Sequence, residues 1–314
     1  MDWFGAGVDW PLITVRAIHF AACAVITGTL VFRTTVAKPA LPSEQGAASG
    51  WWPQSLRVAW IALAVTLLSG VGWLLLQAVS MSGLPPGEAM TSQVLSTVLN
   101  ETQFGVVTEI RSVLAVILAT ALAFDRFVLA DRLALAAALG LTASIAWTGH
   151  AGSTLGELGN LHLAADALHL VAAASWIGGL VPFSLLLAAV RRHGGLSLAR
   201  DAAQGFSVLG IVSVATLAVT GIVNSWILVG SFRALPVTEY GQVLMLKLVV
   251  FAAMLVFAAT NRFALTPRLM VSSGSDREAG RKLLRNSIVE IALGFAIFAI
   301  VGVLGTLHPA THLS

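Results

Sequence analysis

The chain has 314 residues, 57% hydrophobic and 11% charged, with a mean hydropathy of +0.87 and a formal net charge of +3. A soluble globular domain carries about a quarter charged residues, so this composition excludes one and describes an integral membrane protein. No Gly-x-Gly-x-x-Gly or Walker-type stretch is present, the loops are too short for a soluble domain, and the pI near 9.6 comes from basic loops, which argues against nucleotide-driven chemistry and nucleic-acid binding.

A spanning helix needs roughly 20 mostly apolar residues. In chain order such stretches fall at about 11–36, 52–80, 105–124, 132–149, 163–190, 203–228, 240–262 and 283–306. They predict an all-α fold, a bundle of eight transmembrane helices forming one membrane domain over 1–314. The first stretch is too long for a signal-peptide core and is preceded by Asp2 and Asp9 with no basic residue, so it is expected to stay as helix 1. Cys23, the single cysteine, allows no intrachain disulfide. Between helices 2 and 3, "TSQVLSTVLNETQFG" (91–105) spaces Val94, Leu95, Val98 and Leu99 helically, which predicts a short helix along the membrane surface. No internal repeat is evident.

Short cytoplasmic loops are rich in Lys and Arg. The loops at 33–57, 125–132, 191–201 and 262–285 hold fourteen of the 18 basic residues. The opposite set of loops and tails holds Arg233 alone, while Arg16, Arg111 and Lys247 lie inside helices. Both termini are therefore expected outside. Trp3, Trp10, Trp147 and Trp226 fall at outer helix ends, and Trp51 and Trp52 at an inner one, as interfacial aromatic belts do.

Against this apolar background, "TGHAGSTLGELGNLHLAADALHLVAAASWIGGL" (148–180) concentrates polar chemistry at the outer face. His162, Asp166 and His169, spaced i, i+4, i+7, share a stripe about 60° wide and about 10 Å deep on an α-helix. In helix 1, Arg16, His19 and Cys23 share another face. Imidazole suits Cu, Zn and Fe, and thiolate favours Cu(I) and Zn. Of the seven histidines, only His193 falls on the inner side; His150, His308 and His312 are outer. For each histidine, a hydrogen-bonded packing role is the alternative to metal ligation. Charges inside a membrane are costly unless paired or hydrated. Arg16, Glu109, Arg111, Asp166 and Lys247, at similar outer depth, are thus expected to form one polar cluster. Glu290 lies toward the inner side and reads equally as a partner for a loop arginine or as a relay. Gly178 and Gly179 are expected to allow close helix packing.

Several stretches, taken in order, resemble the CopD family of bacterial inner-membrane copper-resistance proteins: "TGHAG", "HLAADALHLVAAASWIGGL", "GIVNSWILVGSFRAL", "TEYGQVLMLKLVVFAAMLVFAATNRF" and "SIVEIALGFAIFAIVGVLGTL". The resemblance runs from helix 1 to helix 8. It implies a non-enzymatic, copper-handling protein of the inner membrane, with periplasmic termini, that receives copper from a periplasmic carrier of the CopC type and passes it inward. It points to His19, His150, His162, Asp166 and His169 as metal ligands; Cys23, His308 and His312 are weaker candidates on their own chemistry and outer position. Unlike some relatives, this chain has no fused soluble copper domain, and its six methionines form no Met-x-x-Met cluster. Two other readings stand beside it. One is a b-type haem protein with His19 and His169 as axial ligands; the other is a membrane metal sensor or assembly partner that binds without flux.

Overall fold

The structure is a computed structural model that describes residues 9–40, 50–193, 195–270 and 276–312. Among them are eight helices long and apolar enough to cross a membrane: α1 (Trp10–Ala40), α2 (Trp51–Ser82), α3 (Gln103–Ala123), α4 (Val128–Thr148), α5 (Gly156–Arg192), α6 (Ser197–Val229), α7 (Glu239–Leu269) and α8 (Arg277–Leu304). No strand occurs among the described residues. In hydrocarbon every backbone N–H and C=O must be satisfied within its own segment, which is why the apolar runs become helices.

Local signals set the helix ends. Asp9 accepts a hydrogen bond from the Leu12 amide at 3.0 Å, and Pro11 sits in the first turn of α1, where its missing N–H costs nothing. Thr102 and Thr238 cap α3 and α7 by accepting from the amides of Gly105 and Gly241 at 3.0 and 3.1 Å. Gly83, at φ 67°, ends α2 in the left-handed conformation that disfavours side chains. The expected surface helix forms over Ser92–Glu101, turning Val98 into the protein with Val94, Leu95 and Leu99 half-buried beside it.

The bundle is built around α1 and α5. In each, 72% of the most apolar stretch is buried, against 11–44% for the other six. These two helices meet backbone to backbone. A methyl group on Gly28 would stand 2.3 Å from the Gly178 carbonyl carbon, and one on Gly178 would stand 1.8 Å from the Ala24 carbonyl oxygen. Lipid supplies no hydrophobic drive between helices, so such small-residue contacts, with the dispersion they permit, are what bind helix to helix. Thr27 fastens α1 to α4 through the Ala138 carbonyl and the Thr142 hydroxyl, at 2.9 and 2.8 Å.

The arginine-rich end has its own polar contacts. Arg33 lies 3.5 Å from Asp125 and 4.1 Å above the Trp52 ring, and Lys38 pairs with Asp131. Trp51 departs from the expected interfacial belt: it is fully buried, its indole N–H donating to the Pro182 carbonyl at 2.9 Å. A buried indole needs an acceptor, and α5 supplies one at this position. Trp10, Trp147 and Trp226 are exposed, as expected; Trp3 lies outside the described residues. Glu290 is buried and held by the Asn261 side-chain amide at 2.6 Å, with Asn286 donating in turn to Asn261 at 2.9 Å.

Candidate metal site

The stripe predicted on α5 is present, and each of its members is gripped by a hydrogen bond. His162 is buried, with Nδ1 2.9 Å from the Thr154 hydroxyl. That hydroxyl also donates to the His150 carbonyl at 3.1 Å, so Thr154 joins the two histidines. The Nε2 of His150 donates to the Leu304 carbonyl at 3.2 Å, and its ring meets Tyr240 edge-on. About one turn deeper than His162, Asp166 accepts from the Asn224 amide of α6 at 3.2 Å. The Oδ1 of Asn224 is buried and has no hydrogen-bond partner among the described residues. Lys247 of α7 is half-buried, and the charge of Asp166 acts on it, although no ion pair joins them among the described residues.

His169 lies one turn below Asp166. Its Nδ1 is 2.9 Å from the Thr220 hydroxyl, which itself lies 2.6 Å from the Thr216 carbonyl. A hydroxyl has one proton, and the short contact to the carbonyl uses it. The imidazole must therefore donate from Nδ1, which leaves the Nε2 lone pair for a ligand. A hydrogen bond from the far ring nitrogen of this kind commonly orients metal-binding histidines.

On α1, His19 is bound in the same manner. Its Nδ1 is 3.1 Å from the Ser69 hydroxyl of α2, which lies 2.6 Å from the Val65 carbonyl. Its Nε2 is buried without a hydrogen-bond partner among the described residues. The surroundings are different: Trp73 packs against the imidazole at 5.3 Å between ring centroids. The guanidiniums of Arg16 and Arg111 lie 5.4 and 5.0 Å from the same indole. Arg16 donates to the Gly305 carbonyl at 2.9 Å, and Arg111 to Ser144 and Thr148 at 3.0–3.1 Å. Neither has an ion pair among the described residues. Cys23 is fully buried, its thiol 3.9 Å from the Thr66 hydroxyl.

The single cluster of intramembrane charges expected from depth is two groups, because side chains at equal depth on a bundle point in different directions. Arg16 and Arg111 gather on Trp73, while Asp166 is held by Asn224 and acts on Lys247. Glu109 joins neither; it is exposed on the surface of α3. His19 and His169 face α2 and α6 respectively. His308 is exposed, and the His312 side chain lies outside the described residues. Among the described residues no three His, Cys, Asp or Glu side chains stand ready around one metal position. Thr220, Asn224, Ser69 and Trp73 were missed by the sequence reading. Asn224 carried a signal, since an amide inside an apolar run needs a partner.

These features define a multi-pass membrane protein with histidine-bearing polar groups inside one end of its helix bundle. Comparison with known proteins narrows the class. The family model described as Copper resistance protein D-like, N-terminal domain, matches residues 7–160, and that of Copper resistance protein D matches 200–304. Copper resistance protein D of Pseudomonas syringae pv. tomato is 30% identical over 259 residues, covering 78% of this chain and 81% of that protein. Inner membrane protein YebZ of Escherichia coli K12 is 28% identical over 310 residues, covering 95% and 98%. Copper transport protein CutJ of Bacillus subtilis 168 is 33% identical over 110 residues, 35% of this chain and 20% of that one. No solved structure matches. The chain belongs to the copper resistance protein D family and is a multi-pass protein of the inner membrane.

Proposed function

We propose that the chain binds copper at its histidine-bearing end and delivers it toward the membrane interior as part of copper resistance, by coordination and transfer rather than by catalysis. The observation that carries the reading is His169: an imidazole inside the bundle, its Nδ1 committed to Thr220 and its Nε2 left as a ligand, about one turn along α5 from Asp166. His150 and His162, joined through Thr154 at the end of the bundle, are the receiving pair. His162 and His169 are separated by about 10 Å of helix, a single transfer step. The asymmetry of basic loops favours a periplasmic position for this end, where a copper carrier of the CopC type is the natural donor.

The reading is tested on tag-free protein purified in detergent. His169→Ala should lose the tightest bound copper while eluting as the wild type does, and His162→Ala should mainly slow loading from a donor. Copper content and affinity unchanged in both variants would refute it. In intact cells, an impermeant thiol reagent should label Glu157→Cys and spare Arg281→Cys; the reverse pattern would invert the orientation.

A further inference from the structure

The two histidine pockets occupy equivalent positions. "RAIHFAACAVITG" (16–28) of α1 aligns with "DALHLVAAASWIG" (166–178) of α5, matching His19 to His169 and Gly28 to Gly178. "LLSGVGW" (67–73) of α2 aligns with "AVTGIVN" (218–224) of α6, matching Ser69 to Thr220, Gly70 to Gly221 and Trp73 to Asn224. "TQFGVVTEIR" (102–111) of α3 aligns with "TEYGQVLMLK" (238–247) of α7, matching Arg111 to Lys247.

The contacts repeat with the residues. Both histidines bond through Nδ1 to a hydroxyl on the following helix, and that hydroxyl reaches the carbonyl four residues back at 2.6 Å in both cases. A methyl group on Gly70 or Gly221 would lie 3.6 or 3.5 Å from the Cε1 of its histidine. Gly105 and Gly241 are both pressed against backbone carbonyls, those of Leu99 and Leu235, at 2.1 and 2.3 Å from an added methyl. At the centre the correspondence closes on itself: Gly28 meets the Ala174 carbonyl and Gly178 meets the Ala24 carbonyl. That reciprocal contact is what a two-fold relation between α1 and α5 requires. An even number of spans per unit gives both halves the same direction through the bilayer, the arrangement of parallel repeats.

We propose that the chain is a tandem pair of four-helix units, α1–α4 and α5–α8, whose histidine pockets have diverged so that the second accepts a metal cation and the first, filled by Trp73 between two guanidiniums, rejects one. This rests on the copper reading above and narrows it to one pocket. Charge decides first. The second pocket holds one charge of each sign, Asp166 and Lys247, which act on each other without forming an ion pair and sum to zero, whereas the first holds Arg16 and Arg111, which act on each other and have no ion-paired carboxylate among the described residues. A cation entering a low-dielectric site against two positive charges is strongly opposed. Among the described residues the second pocket has one orphaned acceptor, Asn224 Oδ1; the first has an acceptor, His19 Nε2, hemmed in by two orphaned donors, Arg16 Nε and Trp73 Nε1, which a metal ion cannot use. Shape agrees as well: the indole of Trp73 packs against His19 from the position that the smaller Asn224 occupies in the second unit.

Copper, titrated as Cu(I) and separately as Cu(II) into the full tag-free chain, separates the pockets. His19→Gln should keep the tightest equivalent at wild-type affinity, and His169→Gln should lose it, weakening binding at least about 100-fold. Loss of that equivalent in His19→Gln, with unchanged elution, overturns the assignment to the second pocket while leaving the copper reading intact. Failure of the wild type to bind copper, or indifference to His169→Gln, overturns both. The combined variant Arg16→Asp, Trp73→Asn, Arg111→Lys should gain a further equivalent that His19→Gln removes again. If it folds and gains none, charge and ring are not what close the first pocket.

Discussion

The pocket around His19 and the pocket around His169 share a frame and differ in contents. The shared parts are the imidazole, the hydroxyl on the next helix, the glycine beside it and the glycine crossing of α1 and α5. The different parts are a tryptophan against an asparagine, an arginine against an aspartate, and an arginine against a lysine. The histidine–hydroxyl pair belongs to the architecture, since it recurs in a pocket whose two guanidiniums oppose a cation. Capacity for a metal is added by the side chains around it. A histidine in a membrane helix is therefore read from its neighbours' charge.

The largest effects should fall where the halves still agree. Gly28→Ala and Gly178→Ala both force the central helices apart, each costing on the order of 3 kcal/mol or more. Thermal unfolding in detergent should show two similar losses; a harmless Gly28→Ala beside a damaging Gly178→Ala would break the two-fold relation. Next come the opposite charges of the second pocket, Asp166 and Lys247. Asp166→Asn should weaken copper binding roughly 10- to 100-fold and leave Lys247 without its carboxylate. Asp166→Asn combined with Lys247→Met should recover stability, because removing both partners strands no charge. A double variant less stable than the single one would dissolve the pairing.

The hydroxyls sharpen the comparison further. Thr220→Val frees Nδ1 of His169 and should lower copper affinity about 10-fold. Ser69→Ala should leave copper binding unchanged and cost only about 1 kcal/mol of stability, that of one hydrogen bond. Equal effects on copper would mean that both pockets bind it. Smallest are the caps: Thr102→Ala and Thr238→Ala should each cost about 1 kcal/mol. Helix content and melting point should move alike in the two, as their matched geometry demands.

Periodicity and length along the chain determined a good deal. Eight spans were legible because hydrocarbon forces each crossing segment to be a long apolar helix, a requirement each segment meets by itself. The His162, Asp166, His169 stripe was legible for the same reason, since helical spacing is local. The short surface helix and the small-residue contact at Gly178 were likewise readable, and the stretches shared with the copper-resistance family pointed to the family found by comparison. Only the tertiary structure decided which way each helix turns its polar face. It sent His19 to α2 and His169 to α6, buried Trp51 against α5, left Glu109 exposed, and stacked Arg16 and Arg111 on Trp73. The repeat was hidden for a related reason. Lipid-facing positions accept any apolar residue, so alignment between the halves decays there. The positions that persist are scattered, and only the reciprocal contacts of Gly28 and Gly178 bring them into register.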